Sequence, residues 1–505
     1  MFKKILIANR GEIAVRIIRA CREMGITSIA VFSEIDRNGL HVRLADEAYP
    51  IGPAPSEESY LDMKRIVDVA KKSKAEAIHP GYGFLAENPK FAELVKSEGL
   101  VFIGPPASAI RLLGDKMEAR KTMANSGIPI VPGTEKPIIN EEEAIKTAEA
   151  IGYPVLIKAA AGGGGKGMRI VHNSKDIKQS IRTCSFEAKS AFGDNRIYIE
   201  KYLEKPRHIE IQILADSFGN VIHLGERECS IQRRYQKVIE ESPSTIVDQK
   251  MRQRMGESAV RAAKAAGYVN AGTVEFLVDE KKNFFFLEVN TRLQVEHPVT
   301  EMITGVDLAK EQIRIADGRK LSYVQEDIIW RGCAIECRIY AEDTENDFLP
   351  SVGKIRSYKE PSGPGVRVDS GLYQGYEVSL YYDPLISKLI VWAEDRQSAI
   401  NRMKRALSEY RISGVTTSIP FHQKVMQNEK YLKGEISTGF IAEEFKVNGE
   451  PKAQDTIYRM AAMLSALTDY QDKKKSKPRT NVSNQVESLW KIDSRRRGLR
   501  NFNRV

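Results

Sequence analysis

This 505-residue sequence lacks any apolar run long enough to cross a bilayer, and Met1-Phe2-Lys3-Lys4 leads straight into a strand rather than a signal peptide. Both absences lead to the expectation of a cytoplasmic protein with no membrane partner. Cysteine is scarce: Cys21, Cys184, Cys229, Cys333 and Cys337 are scattered, and the one close pair, Cys333 and Cys337, has no second pair to match it. That spacing fits neither a zinc site nor a thioredoxin motif, so reduced, partly buried thiols are expected. Standard phosphate-loop signatures are missing too. The turn Ala8-Asn9-Arg10-Gly11-Glu12 has a single glycine, and Lys166 in the run Gly162 to Gly167 precedes a glycine and a strand, where a P-loop needs Ser or Thr opening a helix. The remaining readings of the glycine run are a flexible lid over phosphates or a plain mobile loop. Net positive charge is also nearly missing from the body of the chain. From Lys446 on, 14 Lys and Arg stand against 6 Asp and Glu, which leaves about +2 of the net +10 for everything before. The basicity belongs to a tail, which weakens nucleic-acid binding as a main function.

Residues 1–114 alternate apolar strands (KKILIAN, SIAVFS, AEAIHP, LVFIGP) with amphipathic helices, a rhythm that predicts an open, mostly parallel sheet with helices on both faces. The segment His79 to Asn88 lies at a strand's carboxyl end, where such sheets place ligands; a structural turn is the alternative. Further helices are expected near 115–127, 140–152, 248–266 and 300–317. The segment RIYIEKYLEKPRHIEIQILAD reads as two strands around a turn, with His208 and Glu210 on one face; a lone histidine there reads first as a structural group. The run from Gly225 to Ser244, dense in Arg and Glu, reads as a solvated face. From about Trp330, short strands with glycine turns predict an antiparallel C-terminal domain closed by helices at 396–410, with Arg338 in its first strand needing an anionic partner. Beyond Lys446, one helix at 455–467 and a disordered basic tail are expected.

The stretch Ala271 to Glu301 organises the rest. It reads as strand, short turn, strand (GTVEFLVD, EKKN, FFFLEVN) and then a polar run, TRLQVEHPVTE. Each strand carries a carboxylate in an apolar setting, Glu275 and Glu288. A four-residue loop pairing Asp279 with Phe284 sets them directly opposite each other; a five-residue loop would put them on opposite faces. Facing acids repel, and a hard divalent cation removes the conflict, with Asn290 adding a third oxygen donor. The alternative is a solvated edge hairpin with incidental acids.

Taken in order, NRGEIAVRIIRA, HPGYGFLAEN, GDKMEAR, AAGGGGKGM, IEKYLEKPRHIEIQ, ECSIQRR-QK, EVNTRLQVEHPVTE, CRIYAED and YYDPLISKL strongly resemble biotin carboxylase, an ATP-grasp enzyme, over about residues 1–445. The resemblance implies an α/β and α+β multidomain chain. It comprises a Rossmann-like domain (1–114), an ATP-grasp domain (115–330, with a mobile lid at about 132–203), a C-terminal biotin carboxylase domain (331–446) and the tail (447–505). The implied reaction uses ATP and bicarbonate to carboxylate biotin on a carrier protein, as the first half-reaction of an acyl-CoA or pyruvate carboxylase.

By the same resemblance, Glu275 and Glu288, with Asn290, are the Mg²⁺ or Mn²⁺ ligands. Lys116, Lys158, Gly163, Gly164, Gly165, Glu200, Lys201, Leu203 and His208 contact the nucleotide, Lys237 the transferred phosphoryl group, and Gln232 sits beside it. Arg292, Gln294 and Val295 form the bicarbonate pocket, Glu296 is the general base, Arg338 stands by the biotin ureido oxygen, and Tyr82 and Gly83 belong to the biotin side. The run QRR-QK departs from the family by Tyr235, where histidine is more frequent. No A/V-M-K-M biotin-acceptor motif is present. The biotin carboxyl carrier protein and the carboxyltransferase are therefore expected as separate polypeptides, and a homodimer is implied. Another ATP-grasp ligase would share the nucleotide groups but not the combination of Arg292, Gln294, Glu296 and Arg338.

Overall fold

A computed structural model of the chain describes residues 1–445 apart from 135–136, 139–140 and 160–167. Gly163, Gly164 and Gly165, the helix expected at 455–467 and the basic tail lie outside the described residues. Among the described residues no helix is long and apolar enough to cross a membrane.

The N-terminal strands β1 (Lys4–Ile7), β2 (Thr27–Phe32), β3 (Glu47–Pro50), β4 (Ala77–His79) and β5 (Val101–Phe102) form a parallel sheet in the order β3-β2-β1-β4-β5. Ile5, Leu6 and Ile7 are fully buried, as expected of a central parallel strand covered on both faces. Helix α1 (Gly11–Glu23) opens at the carboxyl end of β1, with Gly11 at φ +65° making the turn. The short, polar β3 carries little strand signal in its sequence.

The expected strand pair at 197–215 exists but is shared between two sheets. Strand β8 (Ile197–Lys201) flanks β6 (Val155–Ala159) opposite β7 (Met168–Val171) in a small antiparallel sheet. Strand β9 (Arg207–Ala215) instead joins an eight-stranded sheet with β10 (Val221–Arg233), β11 (Gln236–Ser242), β12 (Asn270–Val278), β13 (Phe284–Asn290), β14 (Cys333–Tyr340), β15 (Val366–Ser370) and β16 (Leu385–Ala393). Its order is β13-β12-β9-β10-β11-β14-β16-β15, and every neighbour is antiparallel. The sheet therefore runs on through position 330 by the β11–β14 pairing. Apolar faces of β9 and β12 pack on the helix Gln249–Ala265 through Ile209, Ile211, Val274 and Met255.

The single helix expected at 300–317 is two, α2 (His297–Thr304) and α3 (Leu308–Ala316). They are broken at Gly305 (φ +75°), and Asp307 caps the second by accepting from Lys310 N. All five cysteines are free and fully rather than partly buried.

Candidate active site

At the hairpin turn Asp279 N donates to Asn283 O at 3.0 Å, and the ladder starts at Val278 opposite Phe284, so the expected pairing of Asp279 with Phe284 is not formed. Continued unchanged, that register would place Leu287 across from Glu275. A β-bulge takes up one residue at Leu287, and beyond it Glu275 faces Glu288 directly. The acids meet, but through a bulge rather than through loop length.

Glu275 is buried and heavily solvated by protein groups: Lys237 Nζ, Asn290 Nδ2 and Gln294 Nε2 each donate to Oε1 at 2.8 Å, and His208 Nε2 lies 3.0 Å from Oε2. Burial pushes its carboxyl up, yet Lys237 and His208 outweigh it and hold Glu275 well below the usual carboxylate range. Glu288 is more open, its side chain 39% exposed, with Lys116 Nζ at 3.9 Å. Two carboxylates and the Asn290 amide oxygen, which also accepts from Arg292 Nη2 at 2.9 Å, form a donor set of hard oxygens that fits Mg²⁺ or Mn²⁺.

Lys237, on β11, is the hub. Its Nζ donates to Glu210 at 2.5 Å, Glu296 at 2.6 Å and Glu275 at 2.8 Å. Arg338 reaches from β14 to the same place, with Nε donating to Glu240 at 2.6 Å and Nη2 to Glu296 at 2.9 Å. Burial would raise Glu296, but Lys237, Arg338 and Arg227 hold it below the ordinary range, so it is ionised at neutral pH. Arg227, within the run read from sequence as a solvated face, is fully buried; Glu226 and Glu228 beside it are buried too. The Arg227 guanidinium donates to Glu210, Gln212, Thr273, Gln294 and Thr300. Charge density misled because these partners come from other segments of the chain.

Every expected site residue among the described ones lines a single cavity of about 840 Å³. One end holds Lys116, Lys158, Glu200, Lys201 and Leu203. Lys158 pairs with Glu200, and Lys201 Nζ donates to the carbonyls of Gly152 and Tyr153 at 2.9 and 3.0 Å. In the middle, Gln232 Nε2 lies 2.9 Å from His208 Nδ1, so the histidine is held from both sides of its ring. The other end holds Tyr82, Gly83, Arg292, Gln294, Val295 and Arg338. There Arg292 Nε donates to Glu87 at 2.9 Å, Lys388 Nζ donates to Val295 O at 2.8 Å, and Tyr82 donates to Glu12.

Sequence reasoning assigned no role to Glu210, Glu240, Arg227, Glu12 or Lys388, all of them wired into the site. For Glu210 a signal existed, the shared face with His208; the others are visible only once distant strands pair. Tyr235 sits at the exposed β10–β11 turn with φ +67° and lines the cavity by the rim.

Residues 1–110 match the family described as "Biotin carboxylase, N-terminal domain", residues 115–324 "Carbamoyl-phosphate synthase L chain, ATP binding domain", and residues 336–443 "Biotin carboxylase C-terminal domain". The chain is 57% identical over 442 residues to a biotin carboxylase of a Nostoc species, covering 88% of this chain and 99% of that protein. It is 56% identical over 450 residues to a biotin carboxylase of Bacillus subtilis, covering 89% and 100%. Among solved structures it is similar to the biotin carboxylase domain dimer of Hydrogenobacter thermophilus 2-oxoglutarate carboxylase in complex with MgADP, ADP and bicarbonate. That similarity has a TM-score of 0.86 at 51% identity and covers 90% of this chain and 100% of that one.

Proposed function

The chain belongs to the biotin carboxylase family, and we propose that it uses ATP and bicarbonate to carboxylate biotin presented by a carrier protein, as the first half-reaction of an acyl-CoA or pyruvate carboxylase. The observation that carries this reading is one cavity lined by Lys116, Lys158, Lys237, Arg292 and Arg338 together with Glu275, Glu288 and Glu296.

Lys116, Lys158 and His208 would hold the nucleotide, and the oxygens of Glu275, Glu288 and Asn290 would hold Mg²⁺ or Mn²⁺. The cation, when bound, offsets charge on the phosphate oxygens. Glu296 takes the proton of bicarbonate, whose oxygen attacks the γ-phosphorus as the bond to ADP breaks; the carboxyphosphate so formed decomposes to CO₂ and phosphate. In the free protein Glu296 is too well stabilised to be a strong base. Drawing Lys237 toward the γ-phosphate removes one of its cationic partners and strengthens it. Arg292 and Gln294 fix bicarbonate, and Arg338 offsets the charge that develops on the ureido oxygen as the released phosphate takes the N1 proton of biotin and N1 forms its bond to CO₂. Arginine suits that task because it stays charged and presents a planar fork.

The dimeric relative supports a homodimer; a carboxyltransferase that takes up carboxybiotin completes the assembly. Bicarbonate-dependent ATP hydrolysis should rise on adding free biotin and cease with a chelator. Absence of biotin stimulation in folded protein would falsify the assignment.

A further inference from the structure

Behind Arg338 lies a pair of acids that the reaction above leaves unused. Glu336 precedes Arg338 by two residues on β14, so both side chains leave the same face. Register places Glu336 directly across from Glu240 on β11, and Arg338 across from Lys388 on β16. Both acids are fully buried at 0% exposure. Glu240 gives Oε1 to Arg338, but among the described residues its Oε2 and both oxygens of Glu336 have no hydrogen-bond partner. Like charges opposed across a ladder repel, and an unpaired buried carboxylate is costly.

The charged and titratable groups facing Glu336 are Lys388 from β16, Glu240 from β11, Arg338 from its own strand, Glu296 from the segment before α2, and Tyr82 from the loop after β4. The ammonium among them is already engaged: Lys388 Nζ lies 3.2 Å from Glu12 and donates to Val295 O. The guanidinium is engaged by Glu240 and Glu296.

We propose that Glu336 keeps its proton in the folded enzyme and forms with Glu240 an acid–carboxylate pair of single negative charge behind Arg338. Glu240 orients the guanidinium, and a neutral Glu336 spares it a further counter-charge, so that its field remains directed at the ureido oxygen. Glu336 is thus a positioning residue. Burial pushes Glu336 well above the usual carboxylate range and Glu240 up to about 7, with Glu296 adding to both. Rising pH removes the Glu336 proton and weakens Arg338. The inference rests on the biotin-carboxylation reading.

Glu336→Gln copies the shape of the neutral acid and cannot ionise. An infrared difference spectrum at neutral pH, wild type minus E336Q, should show a protonated-carboxyl C=O band. Biotin-stimulated ATP hydrolysis by the wild type should fall above neutral pH, while E336Q holds its rate for about one pH unit more. If E336Q does not fold, the wild type alone decides: the carboxyl band must fade over the same pH range as the biotin-stimulated rate. An active wild type with no such band, a band that persists while the rate falls, or an E336Q profile identical to wild type overturns the pair. A wild type with no biotin stimulation overturns the functional reading instead.

Discussion

Glu301 and Glu336 are both buried glutamates, and their surroundings drive them to opposite charge states. Glu301, on α2, accepts from Arg16 of α1 at 2.9 Å, from Arg367 of β15 at 2.7 Å and from Leu308 N of α3 at 2.8 Å. Burial raises it, but Arg16, His297 and Arg367 more than compensate and hold it below the usual carboxylate range. Glu336 has no such donors among the described residues and is pushed up. Burial alone does not fix ionisation; donors within reach decide it. The saturated acid ties helices to sheet, whereas the unsaturated one stands next to Arg338, the arginine proposed to meet biotin.

The cluster around Lys237 lies between these extremes, with three acids on one ammonium, and disturbing it gives the largest effect. Lys237→Met leaves Glu210, Glu275 and Glu296 short of a cation and should lower kcat of biotin-dependent ATP hydrolysis by about 10²–10³-fold. A loss below tenfold would break the claim that this ammonium serves the chemistry. Next comes the saturated junction. Arg16→Met should cost about 3 kcal/mol in urea unfolding and leave kcat of the folded fraction within about threefold. A selective collapse of kcat would erase the contrast with Lys237.

The sign of pH dependence sharpens the comparison further. Glu301, depressed in the fold, contributes stability above its ordinary titration range and loses it as pH falls; the deficit of Glu301→Gln should therefore shrink toward acid. Glu336 is raised, so its contribution is present at low pH and lost as pH rises. The stability of Glu336→Gln relative to wild type should thus improve toward alkaline pH, on the order of 1 kcal/mol. Parallel slopes in chemical denaturation series would refute the assigned charge states. The smallest effect belongs to a pair outside both clusters. Arg111→Ala breaks an ion pair with Glu93 in which both side chains are more than half exposed, and should shift stability by less than about 0.5 kcal/mol.

Local pattern made much of this legible. Alternating strands and helices gave the parallel N-terminal sheet, and apolar strands interrupted by single acids gave the hairpin and its facing glutamates. Arg338 amid apolar neighbours correctly implied an acid partner, met by Glu240 and Glu296. Pairings between distant segments were not legible. The bulge at Leu287 sits on β13 opposite β12, which pairs with β9 in unbroken register on its other edge. The β10–β11 run was misjudged because one strand's charges look solvated until the opposing charges arrive. At position 330 the pattern of elements changes and the family matches change with it, but the sequence did not reveal that the hydrogen bonds of β11 to β14 carry the sheet past it.

That uninterrupted sheet limits how the protein can be recombined. Cutting at 330 would expose two long strand edges, β11 and β14, each with a row of unpaired amides and carbonyls. A chimera joined there would also separate Lys237 and Glu240 from Arg338, the residues that have to register with one another across the join. Exchange of parts between relatives is therefore better made at the β5 boundary, outside this sheet, with β9 through β16 inherited as one block.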